Sequence, residues 1–379
     1  MKPKIRFKGF EEEWKAEELS HICSVNRGVR VTRNDLHNNG VYPVYQNTDY
    51  PMGYYTKFNV ESNNPFVIVG GSAGLIGFCH TNFWAADDCV FFGDNPIINK
   101  SFLYNNLIFH KTEIKRNVRG ASVPRLDRET LRKLPISMPS LLEQQAIASY
   151  FTSLDSQISA STSRLASLKQ MKTASLQAMF PQEGETVPKI RFKGFEGEWK
   201  KVKADSIFKT FNEKNRPDLP VLSATQDRGM VTRESIGYNI FHDTSNEATY
   251  KHILPGQFVI HLRSFQGGFA HSEIEGIASP AYTIMDFKNK DLYHDYYWRY
   301  VFMSKEFIKR LELITYGIRD GRSISYDEFK EMSFLVPSKE EQIKIASYLK
   351  NLDRQISLQS QRLEKLKQIK SACLDKMFV

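Results

Sequence analysis

Two stretches of the chain carry apolar residues at alternating steps of three and four. In the first, Ile147, Phe151, Leu154, Ile158, Leu165, Leu168 and Met179 follow this rhythm, with Ser161, Lys172 and Ser175 filling the intervening steps. In the second, Ile345, Leu349, Leu352, Ile356, Leu363, Leu366, Cys373 and Met377 do the same, interrupted by Gln359 and Lys370. Such spacing puts all apolar positions on one stripe of a helix and predicts a coiled-coil seam. Each stretch runs for about 38 residues, roughly 57 Å of helix at 1.5 Å per residue. A helix of that length with one apolar stripe needs a partner, and the other copy is the obvious one. Polar residues recurring at matching seam steps are expected to fix register. Pro139 and Pro337 precede the two helices, and Pro181 ends the first.

Between these stretches the pattern changes to short apolar runs cut by glycine turns. VYPVYQNTDYPMGYY, NPFVIVGGSAGLIGFCH and DDCVFFG read as strands, as do LPVLSATQDRGMV, GQFVIHLRSFQGGFA and GIASPAYTIMDF. A helical stretch follows, for example over 291–312. The expected fold class is therefore α+β. Two strand-rich domains are separated by two long helices, which pack as an antiparallel coiled coil with pseudo-two-fold symmetry. The expected organisation is a first domain over 1–138, a helix and linker over 139–187, a second domain over 188–336, and a second helix over 337–379.

The frame around these blocks is duplicated. PKIRFKGFEEEWK at 3–15 returns as PKIRFKGFEGEWK at 188–200, with twelve of thirteen positions identical. Residues 139–180 return at 337–378 with twenty-three of forty-two identical, down to a closing Met-Phe. The blocks inside the frame, about 16–138 and 201–336, look unrelated in detail. A frame kept twice around unlike inserts implies one scaffold with two separate reading surfaces. If the helices run antiparallel, each carries its domain at its N-terminal end. The two domains then meet a DNA duplex symmetrically, with half-sites about 34–36 Å apart within reach.

Charge adds little by its total, +9, and more by its location. Residues 110–133 hold eight Lys or Arg (Lys111, Lys115, Arg116, Arg119, Arg125, Arg128, Arg132, Lys133) against three acids. The rest of the stretch from Ala16 to Leu142 is net acidic. No apolar run approaches the roughly 18 residues that a membrane span needs, and the N-terminus lacks the apolar core of a signal peptide. Cys23, Cys79, Cys89 and Cys373 are scattered with no CxxC pair, which argues against zinc and a disulfide scaffold and suits the cytoplasm.

The PKIRFKGFEGEW motif, the PSxxEQ helix start, the (I/L)xxLDxQI continuation and the RLxxLKQxK tail resemble the specificity-subunit family of type I restriction-modification enzymes. The resemblance covers essentially the whole chain. It implies two target-recognition domains, each reading one half of a bipartite site in double-stranded DNA. It also implies helices that set the spacer and dock two methyltransferase subunits, with motor-nuclease subunits added for cleavage. It makes this chain a non-catalytic subunit with no cofactor of its own; S-adenosylmethionine, ATP and Mg belong to the partners.

Reading bases takes Arg, Lys, Asn and Gln that reach groove edges. In the first block the candidates are Arg27, Arg30, Arg33 and Asn34, then Gln46 and Asn47 at a turn, then Lys115, Arg116 and Arg119. In the second they are Gln226, Arg228 and Arg233, then Arg263 and Gln266, then Arg319 and Arg322. Catalytic signals are weak beside these. NNPF at 63–66 departs from the amino-methyltransferase motif at its second residue, and Asp87-Asp88 lacks the rest of a nuclease site, so a solvated turn is expected there. Gly70, Gly71, Gly74 and Gly77 precede what reads as strand, whereas a phosphate loop must open a helix. His252, His261 and His271 match no metal spacing, and Tyr293, Tyr296, Tyr297, Trp298 and Tyr300 read as core or interface aromatics. An enzyme built on NNPF and Asp87-Asp88, and a coiled-coil adaptor for proteins, are the competing classes.

Overall fold

The computed structural model describes residues 2–36, 39–225, 228–236, 244–261, 268–314 and 324–379. It divides into two compact units, Met1–Ser163 with Ser360–Val379, and Arg164–Gln359. The division cuts through both long helices, so each unit holds the first part of one helix and the last part of the other.

The first unit is built on a four-stranded antiparallel sheet in the order Val25–Arg27, Cys89–Phe92, Asn64–Ile68, Ile76–Cys79. The second has the same sheet in the order Phe208–Phe211, Thr283–Phe287, Phe258–Ile260, Phe269–His271. Their registers correspond: Val25 faces Phe92 as Phe208 faces Phe287. Beside each sheet lies a smaller one. In the first unit Tyr42–Tyr45 pairs with Gly53–Tyr55 and, in parallel, with Trp84–Ala85. In the second, Leu222–Thr225 pairs with Gly229–Thr232, and a parallel bridge joins Val221 to Ile277. The blocks that look unrelated in sequence thus share a topology. Central strands such as Asn64–Ile68 are buried along their whole length, so they are specified by bulk and β-branching rather than by alternation.

A helix packs on each sheet, Lys100–Phe109 in the first unit and Asp295–Met303 in the second. The helical stretch expected over 291–312 is broken. Ser304 ends Asp295–Met303, and its Oγ accepts from Phe307 N at 3.2 Å to start Lys305–Ile314, an N-cap exchange that a serine favours.

The two long helices, Leu141–Ala178 and Lys339–Met377, are continuous. Ser140 and Ser338 cap them, each Oγ accepting from the amide three residues on (Glu143 N, 3.4 Å; Glu341 N, 3.3 Å). All twelve apolar seam positions from Ile147 to Leu168 and from Ile345 to Leu366 are buried or half-buried, and Ser161 and Gln359 are buried with them. Within each unit the helices run antiparallel. In the first, Tyr150 Oη lies 3.4 Å from Cys373 Sγ and Lys370 Nζ 2.5 Å from Asp155 Oδ1. In the second, Ser175 Oγ lies 3.2 Å from Tyr348 Oη and Lys172 Nζ 2.5 Å from Asp353 Oδ1. The closing Met-Phe of each helix enters a core it does not begin in. Met377 and Phe378 lie among Trp14, Phe102 and Phe151, and Met179 and Phe180 among Trp199 and Tyr297.

Candidate nucleic-acid interface

The repeated motifs form the base that holds each strand-rich block. Arg6 grips Glu143 through two bonds of 2.7 Å, and Trp14 Nε1 donates to the same carboxylate at 3.2 Å. Arg191 grips Glu341 at 2.7 and 2.8 Å. Both carboxylates are 1% exposed, and a two-point fork from arginine is the arrangement that best compensates such burial. The neighbouring glutamines reach the other way. Gln144 Oε1 accepts from Asn99 N at 2.9 Å and its Nε2 donates to Ile97 O at 3.0 Å. Gln342 does the same with His294 N (3.0 Å) and Leu292 O (3.1 Å). One Glu-Gln pair therefore ties the start of a long helix to its motif and to the helix packed on the sheet. The motifs then run into Lys15–Glu18 and Lys200–Lys203, which pair with Pro135–Met138 and Ser333–Val336 just ahead of the long helices. The signal for this clamp was in the sequence: an Arg and a Glu that recur together in both copies.

On this base the first unit brings several candidates together. Arg30, Arg33, Gln46 and Asn47 line one concavity of about 270 Å³ with Val31, Thr32 and Met52. Arg30, Arg33 and Asn34 are exposed, and a hydrogen-bonded exchange between Thr32 and Asp35 fixes the turn that presents them. Asn47 O accepts from Ser72 N at 3.1 Å, which brings the glycine loop to the same edge. A Cβ on Gly71 would stand 2.9 Å from Asn47 Cβ, and its φ of +75° suits glycine. The loop closes the hairpin from Asn64–Ile68 to Ile76–Cys79 and opens no helix. Next to it, Gly70 and Arg119 each bridge to Arg125. Lys115 and Arg116 end a short helix, Lys111–Arg116, and both are exposed.

Asp87 and Asp88 are not a solvated turn. Both are half-buried; Asp87 O accepts from Arg27 Nε at 2.7 Å, and Asp88 Oδ1 meets Arg125 Nη1 at 3.3 Å. The Asp87 backbone carbonyl and the Asp88 carboxylate orient arginines, and Arg125, 62% exposed, is an addition to the candidate set that its place in the basic segment could have suggested.

In the second unit Arg228 is exposed at the turn between Leu222–Thr225 and Gly229–Thr232, its amide donating to Thr225 Oγ1 at 3.2 Å. Arg233 is half-buried, and its Nε and Nη1 find no acceptor among the described residues. Gln226, Arg263, Gln266, Arg319 and Arg322 lie outside the described residues.

The other signals are accounted for structurally. Asn64 of NNPF is buried, its amide spent on Phe92 O at 3.0 Å. His252 is buried between Glu213 (3.2 Å) and Glu275 (2.9 Å), His271 bonds Asp295 at 2.8 Å, and His261 faces the Tyr282 ring. Burial opposes the Asp295 charge, but the His271 hydrogen bond prevails and holds that carboxyl below its ordinary pKa. Tyr297, Trp298 and Tyr300 are core residues. All four cysteines are free, and burial pushes the Cys23 thiol up to about 11. Among the described residues no group of three His, Cys, Asp or Glu is placed to hold a metal, and no helix is long and apolar enough to cross a membrane.

Comparison with known proteins agrees with this architecture. The family described as "Type I restriction modification DNA specificity domain" matches residues 11–170 and again 196–368. A specificity subunit of the type I restriction enzyme MjaVIII from Methanocaldococcus jannaschii is 22% identical over 394 residues, covering 96% of this chain and 92% of its own. That of EcoDI from Escherichia coli is 22% identical over 210 residues, covering 55% and 46%. The crystal structure of a type I S subunit from M. genitalium superposes with a TM-score of 0.71 at 17% identity, covering 100% of this chain and 99% of that one.

Proposed function

Because the chain belongs to the family of type I restriction modification DNA specificity domains, we propose that it addresses a restriction-modification complex to DNA, each strand-rich domain reading one half of a bipartite site. The observation that carries this reading is one sheet topology built twice, each copy on its own Arg-Glu clamp. In the first domain the readers are Arg30, Arg33, Asn34, Gln46 and Asn47, with Arg27, Lys115, Arg116, Arg119 and Arg125 beside them. In the second they are Gln226, Arg228, Arg233, Arg263, Gln266, Arg319 and Arg322. Arginine and the carboxamides can meet purine edges in pairs of bonds, while lysine mainly holds phosphate.

The chain is non-catalytic in this reading. Two methyltransferase subunits dock on the exposed faces of the helices, whose seam positions hold the pair together. Those subunits carry S-adenosylmethionine, and motor-nuclease subunits carry ATP and Mg. The complex works in the cytoplasm, where it meets the genome.

The test is to map modified bases genome-wide in a host carrying this chain and its methyltransferase. Exchange of residues 16–138 for the block of another family member should change one half-site and leave the other intact. Simultaneous change of both half-sites, or methylation by the purified chain alone, refutes the proposal.

A further inference from the structure

The two units differ sharply at one corresponding place. In the first unit a cavity of about 650 Å³ opens between the helix Lys100–Phe109 and the long helix Leu141–Ala178, a size typical of small-ligand sites. The shared register identifies its counterpart in the second unit. Asn99 and His294 both give their amide to the glutamine of the clamp, so Ser101 corresponds to Tyr296, Tyr104 to Arg299 and Asn105 to Tyr300. The helix repeat matches Thr152 with Lys350 and Asp155 with Asp353.

In the second unit the chain fills this place with its own side chains. Tyr300 Oη donates to Asp353 Oδ2 at 2.8 Å. Lys350 Nζ lies 3.6 Å from the Tyr296 ring, and Arg299 pairs with Glu273 at 2.5 Å. In the first unit all of these groups but the aspartate are replaced. Serine and asparagine stand where the two tyrosines are, and threonine where the lysine is. The ion pair becomes an aromatic wall, Phe78 and Tyr104, with ring centroids 5.3 Å apart. The aspartate and its lysine partner remain: Asp155 Oδ1 takes Lys370 at 2.5 Å, and that pair is the only hydrogen bond Asp155 makes among the described residues. Asn105 is 2% exposed, its Nδ2 donates to Ser101 O at 2.8 Å, and its Oδ1 has no partner. The cavity thus keeps the partly exposed carboxylate that accepts from a phenol in the other unit and adds a buried acceptor, Asn105 Oδ1; among the described residues no phenol bonds Asp155, the hydroxyl of Tyr104 on the wall included.

We propose that this cavity binds a phenol, its ring against Phe78 and Tyr104 and its hydroxyl donating to Asp155, as Tyr300 donates to Asp353. Aromatic walls favour an edge-to-face or offset ring, and a hydroxyl bound to a carboxylate gives selectivity over a bare ring. The phenol belongs either to a small molecule or to a tyrosine of a bound protein. The site is separate from the DNA-reading turns, and its test needs neither DNA nor a partner.

The full chain is titrated with p-cresol, followed by calorimetry and by tyrosine-region NMR shifts. One saturable site is expected, with toluene at least about tenfold weaker because it offers no hydroxyl. The double variant Ser101→Tyr, Asn105→Tyr, which installs the occupants of the second unit, should weaken p-cresol by about tenfold or more while its circular dichroism stays native. If that variant does not fold, Phe78→Glu with Tyr104→Arg, which installs the ion pair, should have the same effect. N-acetyltyrosinamide separates the sources. Binding as tight as p-cresol shows that a polypeptide tyrosine fits, and binding of p-cresol alone shows a site for small phenols. Absence of saturable binding, equal affinity for toluene, or undiminished binding by a folded filled variant overturns the proposal.

Discussion

The two clamps differ at the contacts of their tryptophans, besides a bond from Arg191 Nη1 to Gly197 O at 2.6 Å in the second. Trp14 Nε1 bonds the Glu143 carboxylate, whereas Trp199 Nε1 is buried with no acceptor among the described residues. Replacing either tryptophan by phenylalanine removes similar packing, so the difference between the variants isolates the hydrogen bond. A bond to a buried charge contributes about 1.5–3 kcal/mol. Trp14→Phe should therefore lower stability by about 1–2 kcal/mol more than Trp199→Phe, measured by amide exchange in the unit concerned. Equal losses would mean that the Arg6 fork satisfies Glu143 by itself. At this scale the candidates were legible only as residue types, and the structure adds that Arg30, Arg33, Gln46 and Asn47 line one concavity. What could not be read was which arginines stand free. Arg27 and Arg125 are steered by Asp87 and Asp88, and that steering depends on contacts between residues 37 to 60 positions apart.

The long helices were legible because their apolar steps follow the helical period without a break. The strand-rich blocks were legible as strands but not as copies of one another. Their corresponding core positions keep direction and change size, as Val25 and Phe92 against Phe208 and Phe287 illustrate. A core position can change volume, as Val25 against Phe208 does, while the sheet stays the same, and this erases identity faster than topology. The helix ends reward closer attention. Phe378 contacts the rings of Trp14, Phe102, Phe109 and Phe151, and Phe180 those of Trp199 and Tyr297. Phe378→Ala should cost about 3–5 kcal/mol and loosen the unit that contains the first block, although the residue closes the second repeat. Phe180→Ala should loosen the other unit. Exchange protection mapped by unit checks the crossing; loss of protection in the repeat that carries the mutation would contradict it.

For the whole molecule, the duplicated frame was the legible feature, and the place where each copy completes its core was not. The pairing of the two helices was expected from their seams, but not that each unit takes its last turns and closing Met-Phe from the other copy's helix. If the helices set the distance between half-sites, one heptad added to both, about 10.5 Å at 1.5 Å per residue, should lengthen the spacer by roughly three base pairs at 3.4 Å each. The half-sites themselves should not change. Mapping methylated positions in a host carrying the lengthened chain decides this, and an unchanged spacer would assign spacing to something other than the helices.

The exchange of helix ends also sets an order of events during translation. The first unit includes Ser360–Val379, so its core stays open after residue 163 has been made. The ribosome then has roughly 200 further residues to add, on the order of 10–40 s at about 5–20 residues per second. For that interval Phe102, Phe109 and Phe151 wait for Phe378 with an apolar face uncovered. A nascent chain with such an uncovered face is expected to need chaperones for its first unit until residue 378 is made. A chain that stops before residue 360 lacks the helix end that completes the core of the first unit.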